Sequence, residues 1–189
     1  MESTSVRRAL YVLFGRLFAG DLTADLFRRV RAGGLDELAR IQGVDLFSDL
    51  LDADDAESAV VELAAEQARL SDLVSLRASD YSHATGDAVV ALGAFLREHE
   101  LEIDSDFDLP ADHLALVLGM MGELAQREDE SDDPDAALHA RAFFHRHLLP
   151  WAPRALADVS AEADRRFYRG LATMLSAFLE TERRRYEEA

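Results

Sequence analysis

The chain has 189 residues and no cysteine, and its 37 acidic against 20 basic residues give a formal net charge of -17. This length fits one ordinary domain with its own core, and the absence of cysteine excludes disulfides, thiolate metal sites and cysteine nucleophiles. The negative charge argues against nucleic acid or an anionic membrane as the main partner, because phosphates would be repelled.

All 20 basic residues of the chain are arginine, and lysine is absent. Carboxylates hold water and cations, so an acidic, lysine-free surface suits a cytoplasm full of salt. We therefore expect a salt-in halophile with a GC-rich genome as the source. Codon bias combined with ordinary acidity is the alternative explanation.

Apolar residues near the N-terminus recur at three- and four-residue steps, which predicts a helix that ends at Gly20. Arg7 and Arg8 before an apolar run resemble a twin-arginine export signal, but Arg16 and Asp21 interrupt that run, which favours a core helix. No stretch is long enough to span a membrane. The face predicted to be buried consists of Val6, Leu10, Leu13, Phe14, Leu17 and Phe18.

Further helices are predicted between short acidic turns along the first half of the chain. Two short helices are expected over residues 25–31 and 35–41, followed by a turn over 47–51 and a loop at 104–108. A long helix is expected from about Asp55 to about Ser79, and its inward residues are Val60, Leu63, Leu70, Leu73 and Val74. The next helix should begin at Thr85 or Gly86 and bury Val89, Leu92, Phe95 and Leu96.

The second half predicts a strongly apolar helix from Pro110 to about Glu128 and another from Pro134 to about Leu149. A last helix capped by Ser160 should bury Phe167, Leu171, Met174, Leu175 and Phe178. There is neither a strand-like alternation nor an internal repeat. We therefore predict an all-α fold, a single-domain helical bundle over residues 1–189, with the acidic turn at 128–135 as its natural hinge.

Residues 108–114 have the composition of a helix start. Asp108 can cap the helix, Pro110 suits its first turn and Asp112 favours its positive end. His113 begins the apolar stripe of that helix and should point towards the interior. Because adjacent residues lie about 100° apart on a helix, Asp112 and His113 do not form an acid–base couple, and no activated nucleophile accompanies them. We predict that the chain is not an enzyme.

Phe143, His147 and Trp151 recur at four-residue steps, and Pro150 should redirect the chain so that the only tryptophan lies at a bend. They predict either a core aromatic cluster or a partly open apolar groove. Histidines at 139, 145 and 147 raise a metal hypothesis, but the spacing of the close pair does not suit one helical face. We expect neither a metal nor a cofactor.

Two motifs carry a resemblance to a known family. P-x-D-H ends at His113 and precedes an apolar helix, and F-x-x-x-H-L-x-P-W ends at Trp151, about thirty residues further on. In this order they resemble the TorD/DmsD/NarJ family of molybdoenzyme assembly chaperones, here from a haloarchaeal source. The resemblance implies a TorD-like helical fold. A family element similar to E-Y-x-x-L-F, with a following loop, is reduced here to residues 80–85.

The resemblance implies a cytoplasmic chaperone that holds the catalytic subunit of a molybdopterin oxidoreductase, with its twin-arginine leader, for cofactor insertion before export. An arginine-led apolar segment fits carboxylates beside an apolar groove. The residues expected to bind this peptide are Tyr81, Asp108, Pro110, Asp112, His113, Phe143, His147 and Trp151. A helical interaction or scaffold domain without such a client is the alternative, and both a monomer and a helix-swapped dimer remain open.

Overall fold

The computed structural model describes residues 6–33, 39, 43–50, 55–81, 87–102, 108–130 and 134–188. Over these ranges the chain is helical apart from turns and one isolated bridge between Arg77 and His113, which confirms the all-α prediction. None of the described helices has both the length and the apolar character needed to cross a bilayer.

The helices are numbered in chain order. They are α1 Val6–Ala19, α2 Ala24–Ala32, α3 Ala56–Leu73, α4 Ala78–Tyr81, α5 Asp87–Glu98, α6 Leu114–Glu130, α7 Pro134–Phe143, α8 Ala152–Glu162 and α9 Arg166–Glu188. A π-helical turn, Phe144–Leu148, continues α7.

The chain forms two compact units, each made of two separate stretches. The first unit comprises Met1–Ala19 and Leu76–Ala152, and the second comprises Gly20–Ser75 and Pro153–Ala189. All eight residues expected to bind a peptide belong to the first unit. A single domain over 1–189, with a hinge at 128–135, stays a prediction.

In the first unit, α1 packs closely against α6. A Cβ atom on Gly15 would lie 2.9 Å from the carbonyl oxygen of Ala115, and one on Gly122 would lie 3.2 Å from the Cβ of Tyr11. Arg7, near the start of α1, pairs with Glu128, near the end of α6, at 3.0 Å. The two helices are therefore antiparallel, and their glycines permit a close approach.

This close approach changes the buried face of α1. Tyr11 is fully buried at the α6 contact, whereas Val6 is 75% exposed and Leu10 and Leu13 are only half-buried. The predicted burial of these three residues is thus wrong, because the α6 contact turns the helix toward Tyr11. The predicted end at Gly20 is confirmed, and its φ of 80° is one that glycine adopts readily.

In the second unit, short side chains cap the helices at their N-termini. The Thr23 hydroxyl accepts the N–H of Leu26 at 3.2 Å at the start of α2, and the Asp55 carboxylate accepts the N–H of Glu57 at 3.2 Å at the start of α3. The turn predicted over 47–51 is present up to residue 50. Aromatic rings also meet there, since Phe47 lies 5.5 Å from Phe27 between ring centroids.

The long helix predicted to reach Ser79 ends six residues earlier, at Leu73. Its C-cap, Val74, is extended, with φ -125° and ψ 124°. Residues 76–78 then pair with residues 112–114, since the Leu114 N–H donates to the Leu76 carbonyl at 2.8 Å. Leu73 is 55% exposed rather than buried, and Val60 is only half-buried.

The last helix begins at Arg166, not near Ser160, because Ser160 lies inside α8, a helix that the sequence pattern did not predict. The N-terminus of α9 is capped from a distance. The Glu66 carboxylate accepts the N–H groups of Asp164 at 2.7 Å and Arg165 at 3.2 Å. The carboxylate of Asp49 likewise accepts the N–H of Arg166 at 2.7 Å.

Other boundaries differ less. The acidic stretch predicted as a turn from residue 128 is helical as far as Glu130, and Pro134 opens α7 as expected. Val89 is exposed and Phe178 is only half-buried, so neither belongs fully to the core. Several predictions lie outside the described residues. They concern 35–41 apart from Ala39, Leu51, a helix start at residues 85–86, residues 104–107 and residues 131–133.

Candidate functional site

Asp112 joins two segments that are far apart in sequence. Its side chain is only 1% exposed. One carboxylate oxygen accepts the backbone N–H of Ser79 at 3.0 Å, and the other accepts Nε of Arg77 at 3.3 Å. The Ala78 N–H donates to the Asp112 carbonyl at 3.0 Å. Asp112 therefore fixes the segment that leads into α4 and Tyr81.

The environment of Asp112 keeps its carboxylate ionised. Burial alone would raise the pKa of Asp112, but the hydrogen bonds from Ser79 and Arg77 and the positive charge of Arg77 outweigh burial and hold that pKa below its usual value. Both carboxylate oxygens are already in use. A leader arginine would therefore find Arg77 here rather than a free carboxylate.

His113, not Asp108, caps α6. The helix begins at Leu114, and the His113 Nδ1 accepts the N–H of Ala115 at 3.2 Å. The predicted placement of Pro110 and Asp112 in the first helical turn is wrong, because these residues form a turn before the helix in which the His113 N–H donates to the Pro110 carbonyl at 2.8 Å. Burial lowers the pKa of His113, which favours the neutral imidazole that a cap requires.

Trp151 lies in the turn that follows the π-helical segment. This segment ends with the Leu149 N–H bonded to the Phe144 carbonyl at 2.9 Å. The indole N–H of Trp151 donates to the His147 carbonyl at 2.7 Å. Tyr81 stacks on the indole with ring centroids 6.2 Å apart. The expected bend at the tryptophan is present, and it brings Tyr81 and Trp151 together.

Phe143 and His147 belong to an aromatic cluster with Phe95 and His99 of the α5 region. The Phe143 ring is fully buried, 5.2 Å from Phe95 and 5.3 Å from His147 between centroids. The rings of His99 and His139 are 4.1 Å apart. Burial lowers the pKa of both His99 and His147, and the nearby His139 lowers that of His99 further.

Within the described ranges, there is no group of three histidine or acidic side chains that could hold a metal ion. The imidazole rings of His99 and His147 pack edge-on or tilted against phenyl rings, which fits the core-cluster interpretation of the sequence.

The structure thus divides the eight expected residues into three groups. Tyr81, His113 and His147 are half-buried. Asp108 and Pro110 are exposed, and the buried group is Asp112, Phe143 and Trp151. The sequence pattern missed Arg77 and Ser79, because it placed both inside a long helix and gave no sign that Asp112 would reach them. That all eight bind a peptide stays a prediction.

Comparison with known proteins identifies the family. Residues 42–157, more than half of the chain, match the model of the nitrate reductase delta subunit family, so the chain belongs to that family. The resemblance carried by the two motifs is confirmed at this level.

Individual relatives are chaperones by name. The chain is 26% identical over 201 residues to the chaperone protein TorD of Shewanella pealeana, a match that covers 94% of this chain and 88% of that protein. It is 31% identical over 98 residues to TorD of Vibrio vulnificus, covering 49% of this chain and 45% of that protein. It is 28% identical over 89 residues to the probable Tat proofreading chaperone DmsD of Haemophilus influenzae, covering 47% of this chain and 40% of that protein. No solved structure matches the chain significantly.

Proposed function

We propose that this chain is a maturation chaperone for a molybdopterin oxidoreductase. It binds the catalytic subunit and its twin-arginine leader, and holds them until the cofactor is inserted. The observation that carries this proposal is the similarity to a TorD chaperone over 94% of the chain. The all-α fold of the chain and the two sequence motifs also support it.

The first unit supplies a surface suited to such a leader. Tyr81 is half-buried and stacks on Trp151. His147, also half-buried, lies beside this pair because its backbone carbonyl accepts the indole N–H of Trp151. The apolar run of a leader would pack here, and exposed Asp108 would meet one of its arginines.

Two of the buried residues hold residues of this surface in place. Asp112 anchors the segment that carries Tyr81 through the N–H of Ser79. Phe143 packs against the ring of His147. We assign both as positioning residues, whose loss would displace the contact surface without removing a direct contact.

Leader binding should depend on apolar contact more than on charge when salt is high. The Debye length is about 3 Å at 1 M salt, so exposed charges are strongly screened, whereas salting-out ions strengthen apolar burial. We expect Trp151→Ala to weaken binding of a leader peptide more than Asp108→Asn in molar salt. Since Trp151→Ala removes a buried ring, Tyr81→Ala serves as a second variant that disturbs the core less.

The measurement is calorimetric titration of the chain with a synthetic peptide containing two arginines and an apolar run. A peptide with a scrambled apolar run is the control. Equal binding of both peptides, or a larger loss with Asp108→Asn than with either aromatic variant, would contradict a binding surface dominated by apolar contact.

The client is tested by co-purification from the native host, with the bound protein identified by mass spectrometry. We expect the catalytic subunit of a molybdopterin oxidoreductase. Recovery of other proteins without that subunit would favour a helical interaction domain with a different role.

We further propose that the chain is not an enzyme. Asp112 and His113 are the candidate pair for acid–base chemistry, but the Asp112 carboxylate is held by Ser79 and Arg77, and the His113 Nδ1 caps α6. Both groups therefore have structural roles. Turnover that Asp112→Asn and His113→Gln abolish without loss of fold would contradict this assignment.

We also propose that the chain works in the cytoplasm of a salt-in, haloarchaeal host. The support is compositional, namely the formal charge of -17 and the absence of lysine. Repulsion among the carboxylates should lower the melting temperature in dilute buffer relative to 2 M KCl. An unchanged melting temperature would argue for codon bias instead.

A further inference from the structure

A groove of about 530 Å³ lies in the first unit, apart from the residues expected to bind the leader. Helix α1 contributes Arg8, Val12 and Arg16 at four-residue steps, and the segment after α5 contributes Glu100, Leu101 and Glu102. Helix α6 contributes Ala115, Leu116, Gly119, Met120, Glu123 and Arg127. The groove therefore has one basic side, one acidic side and apolar residues between them.

Gly119 of α6 has no packing reason to be glycine. Gly15 and Gly122 are needed because α1 and α6 approach closely at both positions. A Cβ atom on Gly119, in contrast, would meet nothing within 4 Å. Glycine inside a helix is less favourable than alanine. Because Gly119 has no side chain and faces open space, a segment from outside the unit can approach the α6 backbone here without a steric clash.

Three of the charged residues along the groove lack an ion-pair partner within the described part of the chain. Among the residues that the structure describes, half-buried Arg8 has no carboxylate within pairing distance, and Glu100 and Glu102 have no cation. Glu123 and Arg127, by contrast, pair with each other at 3.4 Å. Arg8, Glu100 and Glu102 complement a partner that carries opposite charges on its two sides.

We propose that this groove docks an amphipathic helix of a partner polypeptide, at a site separate from the leader site. The helix presents a carboxylate to Arg8 and a basic side chain to Glu100 and Glu102. Its apolar stripe packs on Val12 and Met120, and a small residue approaches Gly119. A helix fits because the four-residue steps on α1 form a ridge against which a second helix can pack.

The first test uses three synthetic helical peptides that share one apolar face of leucine and alanine. One has glutamates on one flank and arginines on the other, the second has glutamates on both flanks, and the third has arginines on both. In calorimetry at 0.1 M salt, we expect the mixed peptide to bind about fivefold more tightly than either other peptide, as one or two partly exposed ion pairs would allow. Arg8→Glu should move the preference to the arginine peptide.

The second test fills the groove. Gly119→Leu should fold normally, because its side chain enters open space, and should weaken binding of the mixed peptide at least tenfold. Gly93→Leu is the matched control, since Gly93 lies within α5 and its Cβ would meet only the Arg97 guanidinium at 3.6 Å. It should bind like the unchanged chain. Circular dichroism and thermal melting establish that both variants are folded.

Four results would overturn the proposal. Equal affinity for all three peptides would exclude recognition by charge, and unchanged binding by folded Gly119→Leu would exclude the groove. Loss of leader-peptide binding in Gly119→Leu would show that the two sites are one. If sedimentation shows self-association that Gly119→Leu abolishes, the occupant is a second copy of the chain and the partner assignment is wrong.

Discussion

Replacing Asp112 by alanine should weaken the contact between the segment carrying Tyr81 and the segment that starts α6, which their backbone hydrogen bonds would still join. The buried N–H of Ser79 would lose its acceptor, which costs about 1–3 kcal/mol. The Arg77 side chain is 43% exposed, so its ion pair adds less than about 1 kcal/mol. We therefore expect Asp112→Ala to lower the free energy of unfolding by about 2–3 kcal/mol. Asp112→Asn keeps an acceptor for Ser79 and should cost about 1 kcal/mol.

The stabilisation that Asp112 contributes to the fold also depends on pH. Because the pKa of Asp112 is lower in the folded chain than in the unfolded chain, its ionised form stabilises the fold at neutral pH. That contribution is present above about pH 4, the unfolded value, and is lost as the pH falls through the lower folded value. The difference between Asp112→Asn and the unchanged chain should therefore shrink in acid.

The assay is urea unfolding at pH 7 in fixed salt, followed by circular dichroism and by the fluorescence of Trp151, the only tryptophan. Asp112→Ala should also alter the emission of the folded state, because the segment that carries Tyr81 against the indole would be held less firmly. Asp108→Ala, which changes an exposed acid nearby, should cost less than about 0.5 kcal/mol. A loss below 0.5 kcal/mol for Asp112→Ala, or an equal loss for Asp112→Asn, would refute this reasoning.

Three further perturbations test other parts of the fold. Glu66→Ala should lower the free energy of unfolding in urea by about 2–4 kcal/mol, because it uncaps α9. The control Ser160→Ala should lower it by less than about 0.5 kcal/mol. Similar losses for the two variants would contradict capping of α9 by Glu66. Glu100→Gly should gain up to about 1 kcal/mol in thermal unfolding by relieving a φ of 51°, and any loss would contradict strain there. Because burial lowers the pKa of His99 and His147, the free energy of unfolding should fall as pH drops below about 6.5, and a double replacement by glutamine should flatten that fall.

Much of the candidate site could be expected from the sequence. The two motifs singled out the turn before α6 and the bend at Trp151, and the structure brings Tyr81 onto the indole there. Their roles were harder to predict. Asp112 was expected to face a ligand, but it is buried under Arg77, because its partners lie about 35 residues earlier in the chain.

Local sequence by itself determined that the chain is helical and where several helices stop or start. Gly20 ends α1 as predicted, because glycine readily adopts the positive φ needed there. Pro134 opens α7 as predicted, because the N–H that proline lacks is not needed in the first turn of a helix. These effects need no distant partner. For the same reason, the three- and four-residue periodicity correctly indicated an all-α chain.

Only the tertiary structure decided which faces are buried and where the remaining boundaries fall. Tyr11 replaces Val6 in the core because α6 approaches α1 at Gly15. The N-terminus of α9 is capped by Glu66, 98 residues before the amide it binds. Contacts between distant segments set these features, and periodicity along one helix carries no information about what lies opposite it.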